Sequence, residues 1–526
     1  MNRAPLSAEL QTLRNEILGL PATLEAESDW YGSVYIERKA TQSRSVNLKQ
    51  SQVQQSLSLG AVLRIYNGYA LFEQATDDLS PTALKKAAEK LIERARAQSN
   101  EAQRKNLKKR PYQPPTWNQR LAAPLEKEIT DQILRDVKAT TPVHFGIRFT
   151  QDPTQTSPAQ RIAALQALLG RVKEQASALG WSADEVTFIQ AREGFALEEA
   201  LFVDREAQLS QTLYRLSLTL ITLAGAERTF SRVGGLGGLE ALEISDEEIR
   251  DQLKNLRAMK TAERLKPGKH RVIFGPVISG ILAHEAFGHS QEADTCARGR
   301  SKAWDLHLSG EKVGNDLATI VNHPGLFENG ETQIAAWGST FFDEEGWLSS
   351  EQVLLDRGKL LQPMTNLTSA LRLGIPRSAN GKRESWSHGV YTRQTNTYFS
   401  AGDHTLEELL KRLNNGYLAT QPAGGMEDPK AMGIQVGISY LQEVRDGKLT
   451  GKVFKGPSGG DIQMTGYTPE VLNSIEAKSK IEVHSKEKDR ARFPQNDVGG
   501  CGKYHKESVY AACGGPYLLM NSVTLG

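Results

Sequence analysis

The sequence predicts an α+β fold. An N-terminal mixed α/β domain, residues 1–230, is followed by a mainly antiparallel β-sandwich or barrel-like domain, residues 231–526, that carries one chemistry-bearing helix. Three observations predict this. At 526 residues the chain exceeds what one hydrophobic core ordinarily supports. In the first part, helical and strand-like periodicities are mixed without the regular strand–helix–strand rhythm of a parallel sheet. From Gly310 onward, short strands separated by turn signals dominate, as at Phe342-Asp-Glu-Glu-Gly346, Asp356-Arg-Gly-Lys359 and Asp446-Gly-Lys448.

Taken in order, Leu10, Leu13, Ile17 and Leu20 recur at helical spacing and give a first amphipathic helix. Strand-like runs follow at Val34 and Ile36, at Leu57 and Leu59, and at Val62 to Tyr66, with Asn67-Gly68 as a hairpin signal. Ser80-Pro81 caps a helix to about Ala97 that presents Leu84, Ala88, Leu91 and Ala95 on one face. The basic, proline-rich stretch Arg104 to Trp117 reads as a solvated connector in preference to a nucleic-acid contact. Val143 to Thr150 is a strand and Arg161 to Leu179 a helix. Val186 to Ile189, Phe195 to Val203 and Tyr214 to Leu220 are further strands. Val233-Gly-Gly-Leu-Gly-Gly238 is expected to break the chain at a domain junction or to form a flexible wall, since it does not match a phosphate-binding glycine pattern. Glu247 to Ala262 is a helix, Val272 to Phe274 a short strand, and Leu406 to Leu413 the clearest late helix.

Composition bounds the function. Apolar residues make up 39% and charged residues 24%, as in an ordinary globular protein. The formal charge of +2 calls for neither nucleic acid nor a membrane surface. No apolar run is long enough to span a bilayer and no secretory signal is evident, so the expectation is a cytoplasmic protein. Three cysteines argue against a disulfide framework and for free thiols in a reducing compartment.

The stretch that carries chemistry is Gly280-Ile-Leu-Ala-His-Glu-Ala-Phe-Gly-His-Ser-Gln291. Its two imidazoles, His284 and His289, suit a metal, and the carboxylate of Glu285 suits proton transfer from a water activated by that metal. The histidines stand at i and i+5, not at the i and i+4 of the common zinc-protease pattern. In a regular helix they would diverge by about 140°, against about 40° for i and i+4. A π-bulge, or a helix opened at Gly288, between Ala286 and His289 would restore the alignment. Gly275-Pro276 starts this helix, and Ile278, Ile281 and Leu282 supply its apolar face.

A catalytic zinc takes three protein ligands and keeps one position open. Among candidates for the third, Cys501 has glycines on both sides and Lys503 nearby, which favours a thiolate. Cys296, Cys513 and His388 are rivals. Asp343, Glu344 and Glu345 read as turn residues beside a hairpin.

Several blocks in order resemble the TldD/PmbA family of metalloproteases. They are Ile281 to His289, Phe342-Asp-Glu-Glu-Gly346, Asn380-Gly-Lys-Arg-Glu-Ser385, Thr395-Asn-Thr-Tyr398 and Gly500-Cys-Gly-Lys503. Together they cover most of residues 271–526, with weaker similarity over 1–225. The His-Glu-x-x-x-His block marks the catalytic, TldD-like branch. The resemblance implies Zn2+ held by His284, His289 and Cys501, with Glu285 as general base. It also implies a dimer, either with itself or with a PmbA-like sister chain, and an enclosed channel that admits unfolded or small peptides. The tail from Tyr504 to Ser508 and the long region from Arg104 to Phe149 depart from the family pattern. On this reading Arg383 binds a substrate carbonyl or carboxylate, the alternative being a salt bridge with Glu384 or another acid. Asn380 and Asn396 lie in segments that would flank an extended peptide added as a strand. Competing functions are an amide-hydrolysing tailoring enzyme for a peptide natural product and a non-catalytic peptide-binding subunit of a protease complex.

Overall fold

The computed structural model describes residues 2–121, 125–136, 142–182, 185–327, 334–480, 497–503 and 508–526. Tyr504 to Glu507, part of the atypical tail, therefore lie outside the described residues.

The N-terminal half is built on a seven-stranded sheet. Its order runs Leu71–Thr76, Ser51–Tyr66, Tyr31–Asn47, Phe188–Val203, Gln208–Ala224, and the far side of that last strand is shared by Val143–Gly146 and Glu227–Leu236. All neighbours are antiparallel except Val143–Gly146, which lies parallel to Gln208–Ala224. The Asn67-Gly68 signal does close a hairpin: Asn67 Oδ1 accepts from the amides of Tyr69 and Ala70, and Gly68 has φ of 86°.

Helices cover one face, among them three long ones and the short Ala8–Ile17 and Leu20–Leu24. Pro81–Arg104 starts where Ser80 accepts from the Ala83 amide, and it buries Leu84, Ala88, Leu91 and Ala95. It runs beyond the expected Ala97 because Ala102 finds a buried place and residues 98–104 carry no helix breaker. Pro158–Ala178 and Asp246–Met259 both begin with a capping box, Ser157 with Gln160 and Ser245 with Glu248. The connector after Arg104 is tied to the sheet. Tyr112 meets the rings of Tyr31 and Tyr66 edge-on, and the Arg110 amide donates to the Gly68 carbonyl.

The glycine run corrects an expectation. Instead of breaking the chain, Val233 to Leu236 complete the strand Glu227–Leu236, which pairs with Gln208–Ala224 up to Leu236↔Arg215. Gly234 is needed there because a Cβ would stand 2.3 Å from the Leu216 carbonyl oxygen. The expected junction at residue 230 thus falls inside a strand. The cores are shared as well. Phe341 and Phe342 pack against Phe145 under the N-terminal sheet, with Phe145 and Phe341 stacked at 5.2 Å.

The C-terminal half is a sandwich of a ten-stranded and a six-stranded sheet, mostly antiparallel. Gly268–Phe274 and Leu518–Leu525 lie at the middle of the larger sheet, and Asn396–Phe399, Val509–Gly514 and Asp497–Cys501 close one side of the smaller. Helix Pro276–Ala283 runs between them, with Ile278, Leu282 and Ala283 fully buried. It packs backbone to backbone on the smaller sheet: a Cβ on Gly280 would lie 2.0 Å from the Gly514 amide nitrogen. That close approach fixes the end of this helix beside the strand that pairs with Asp497–Cys501.

Candidate metal centre

Helix Pro276–Ala283 takes Pro at its first turn and a sequence apolar but for Ser279, and it hands over directly to a π-helical turn over His284–Gly288. The amide of His289 donates to the His284 carbonyl, the i→i+5 bond that the spacing calls for. The extra residue swings the second histidine back toward the first. Their ring centroids are 4.7 Å apart with planes at 90°. Gly288 makes room for the turn, since a Cβ there would stand 2.0 Å from Gln394 Oε1. Gln394 is itself fixed, its Nε2 donating to the His284 carbonyl and its Oε1 accepting from Thr397.

The edge strand Asp497–Cys501 ends with its cysteine at this turn. Cys501 Sγ is 3.3 Å from His289 Nε2, and ligand atoms of His284, His289 and Cys501 all lie within 4.8 Å of one another. Cys501 is 4% exposed and His289 9%. A tetrahedral ion bound at about 2.0–2.3 Å would hold such atoms roughly 3.5 Å apart, so the donor set fits a zinc-sized ion. Burial opposes the charge on Cys501, but the neighbouring His289 and His284 outweigh it and hold the thiol well below its ordinary value. Burial likewise opposes a charged His289, and Cys501 and Glu292 together raise it well above its usual range.

A buried ionic layer lies behind the triad. Glu292 Oε2 is 3.3 Å from His289 Nδ1 and 2.8 Å from Lys503 Nζ, and Lys503 also reaches Asp294 at 2.5 Å. Against the cost of burial, Lys503 first and then His289 and Arg393 keep the Glu292 carboxyl far below the carboxylate range. Arg393 also donates to the Cys501 carbonyl. Nδ1 is thereby engaged and Nε2 left to face the sulfur. Lys503 serves this layer more than it serves the thiol directly.

Glu285 is 8% exposed and lies against Gly425 and Glu427 of the hairpin strand Pro422–Asp428. Glu285, His289 and Glu427 form a second group whose ligand atoms are within 4.8 Å. Burial, with Glu285 hydrogen-bonded to it, raises the Glu427 carboxyl to about 8. Glu427 escapes sequence reasoning because it lies on a distant strand with no motif around it. Glu292 carried a usable signal, an acid three residues after a candidate ligand.

The rival residues are placed elsewhere. Cys296 Sγ donates to the Ser290 carbonyl, and burial pushes its thiol up to about 12. Cys513 lies against the Val277 carbonyl, and His388 is on an exposed loop bonded to Ser385. Asp343 does hold a turn, accepting from the amides of Glu345 and Trp347, and it pairs with Arg377. Arg383 is bonded inside the protein to Glu344 at 2.9 Å, to Glu73 at 2.7 Å and to the His388 carbonyl. Asn380 donates to the Arg393 carbonyl and accepts from Ser378. Asn396 donates to the His323 carbonyl and to Ser339, and accepts from the Gly338 amide. These three brace the walls around the site and do not touch the triad in this arrangement.

The chain is similar to known metallopeptidases. Residues 267–526 match the model of the PmbA/TldA metallopeptidase C-terminal domain. A metalloprotease TldD homolog of Haemophilus influenzae is 28% identical over 396 residues, 70% of this chain and 76% of that one. A zinc metalloprotease TldD homolog of Saccharolobus solfataricus is 27% identical over 261 residues, 50% of this chain and 52% of that one. The crystal structure of TldE from Thermococcus kodakarensis superposes with a TM-score of 0.64 at 14% identity, covering 98% of this chain and all of that one. The last likeness is one of fold. Among the described residues no helix is long and apolar enough to cross a membrane.

Proposed function

Since this chain belongs to the TldD/PmbA family of metallopeptidases, we propose that it is a zinc-dependent peptidase with His284, His289 and Cys501 as ligands and Glu285 as general base. The observation that carries the reading is the convergence of two imidazoles and a thiol within 4.8 Å, from segments 212 residues apart. When bound, the ion supplies a Lewis acid to the scissile carbonyl and to the attacking water. Glu285 takes a proton from that water on its carboxylate and returns it to the leaving amine. Glu427 orients Glu285 across their hydrogen bond, and Glu292 fixes the His289 ring. The substrates are unfolded or small peptides, laid along the wall that the 380–385 and 395–397 segments brace. The protein works in the cytoplasm as a dimer, with itself or with a PmbA-like chain. The fold it shares with TldE supports the pairing.

Elemental analysis tests the ligand set. Purified protein is expected to hold about one zinc per chain, and Cys501→Ala to lose most of it. Glu285→Gln is expected to keep the metal and to lose cleavage of an unfolded peptide by roughly 10²-fold or more. A zinc-free wild type, or a Glu285→Gln enzyme as active as wild type, defeats the reading.

A further inference from the structure

A cavity of about 440 Å³ lies between the N-terminal sheet and the C-terminal half. One wall is the strand Val509–Gly514, whose Val509 and Tyr510 are paired with Cys501 and Gly500. Paired Cα atoms across a strand ladder are about 5 Å apart, so the cavity adjoins the metal centre. Its floor is a charged face of the N-terminal sheet, with Glu37, Lys39, Glu198 and Arg215 among the lining residues.

These four charges balance as two acids and two bases, and the cavity is also lined by Lys382, whose Nζ donates to the Tyr510 carbonyl. Arg215 is bonded to Glu198 at 3.0 Å, and Lys39 lies 3.8 Å from the same carboxylate and 4.3 Å above the Tyr510 ring. Arg383 is taken by Glu344 and Glu73. Arg215, Lys39 and Arg383 thus each have an acid. Glu37 feels the charge of Lys39 and accepts from the Trp386 backbone, but its Oε1 is buried without a hydrogen-bond partner. Burial, and then the nearby carboxylates, raise both Glu37 and Glu344 above the carboxylate range, against the pull of Lys39 and Arg383. At the other end of the floor Arg215, with its side chain 3% exposed, has an Nη1 that also lacks a partner. A buried acceptor and a buried donor left open in one cavity are costly unless a ligand completes them. The two lie on strands separated by one other, so the ligand must be extended and longer than a single small ion.

We propose that this cavity is a substrate subsite for a basic residue of a peptide, which sets its ammonium or guanidinium on Glu37 and a neighbouring backbone carbonyl on Nη1 of Arg215. An apolar side chain would leave the Glu37 oxygen open, and an acidic one would bring a second acceptor to it.

The proposal rests on the peptide-substrate reading, and its test reads binding so that the two can fail separately. Labelled neutral decapeptides carry one lysine walked through every position, each with a norleucine counterpart, and fluorescence anisotropy gives Kd on the full-length protein. At one or two positions lysine is expected to bind roughly tenfold or more tighter than norleucine, the scale of one charge-assisted hydrogen bond. Glu37→Gln is expected to bring that ratio to about 1 and to leave norleucine peptides unchanged. The wild-type ratio needs no variant, so a Glu37→Gln protein that fails to fold does not remove the test. A ratio near 1 at every position, a preference retained in Glu37→Gln, or no binding of any peptide overturns the proposal. Cleavage of the same peptides is followed in parallel. Lysine-selective binding that depends on Glu37 without cleavage would keep the subsite and reject the peptidase.

Discussion

The Nδ1 atom of His289 is 3.3 Å from Glu292, and this contact decides which ring nitrogen faces Cys501. A carboxylate behind a metal-binding imidazole fixes its tautomer and raises its basicity. Glu292 is itself held by Lys503 and Arg393, so neutralising it disturbs a balanced buried layer. Glu292→Gln is expected to weaken zinc binding by roughly 10–100-fold, measured by competition with a chelator, while the far-ultraviolet circular dichroism stays unchanged. At this scale the histidine pair and Glu285 were legible in the sequence, because their spacing has a direct geometric meaning. Cys501 stood out only through its glycines and lysine. Glu427 was not legible, since it comes from a hairpin strand whose register depends on the whole sheet.

Among the elements, a departure from regular helix was readable from two histidines five apart, because a regular helix cannot aim both at one point; of the two forms expected between Ala286 and His289, the π-helical turn is found, over His284–Gly288. The cap at Ser80 was equally local; Ser157, Ser245 and Thr405 cap three further helices that fall near the expected places. The glycine run at 234–238 misled because low strand propensity was weighed without its neighbour, the Leu216 backbone, which only glycine can approach. Helix Pro276–Ala283 depends on the same kind of approach at Gly280. Gly280→Ala is expected to push the helix off strand Val509–Gly514 and to cost about 3 kcal/mol or more, the upper end of overpacking. That strand pairs with the one bearing Cys501, so zinc content should fall together with the thermal midpoint. A normal midpoint in Gly280→Ala protein would contradict the close packing.

Across the whole molecule, each half has a core of its own, and a third core and buried ion pairs join the two. Phe341 and Phe342 from the C-terminal part sit with Phe145, and Arg383 joins Glu344 to Glu73 on strand Leu71–Thr76. Breaking such a pair on one side leaves buried charge uncompensated, at about 3–5 kcal/mol. Arg383→Met is therefore expected to lower the denaturant midpoint of a single cooperative transition, read by both tryptophan fluorescence and circular dichroism. Two separate transitions would mean that the halves fold apart. The α+β class and the mainly antiparallel second half were legible from periodicity and turn signals, but the sharing of the core was not, because contacts between residues 145 and 341 leave no local pattern. The 212 residues that separate Cys501 from His289 carry a further consequence. A chain still being synthesised holds both imidazoles long before this sulfur exists, and it cannot assemble the donor set until the edge strand Asp497–Cys501 has docked. Any peptide-cutting power would thus stay silent in products truncated before Cys501, and would appear only once that strand is in place.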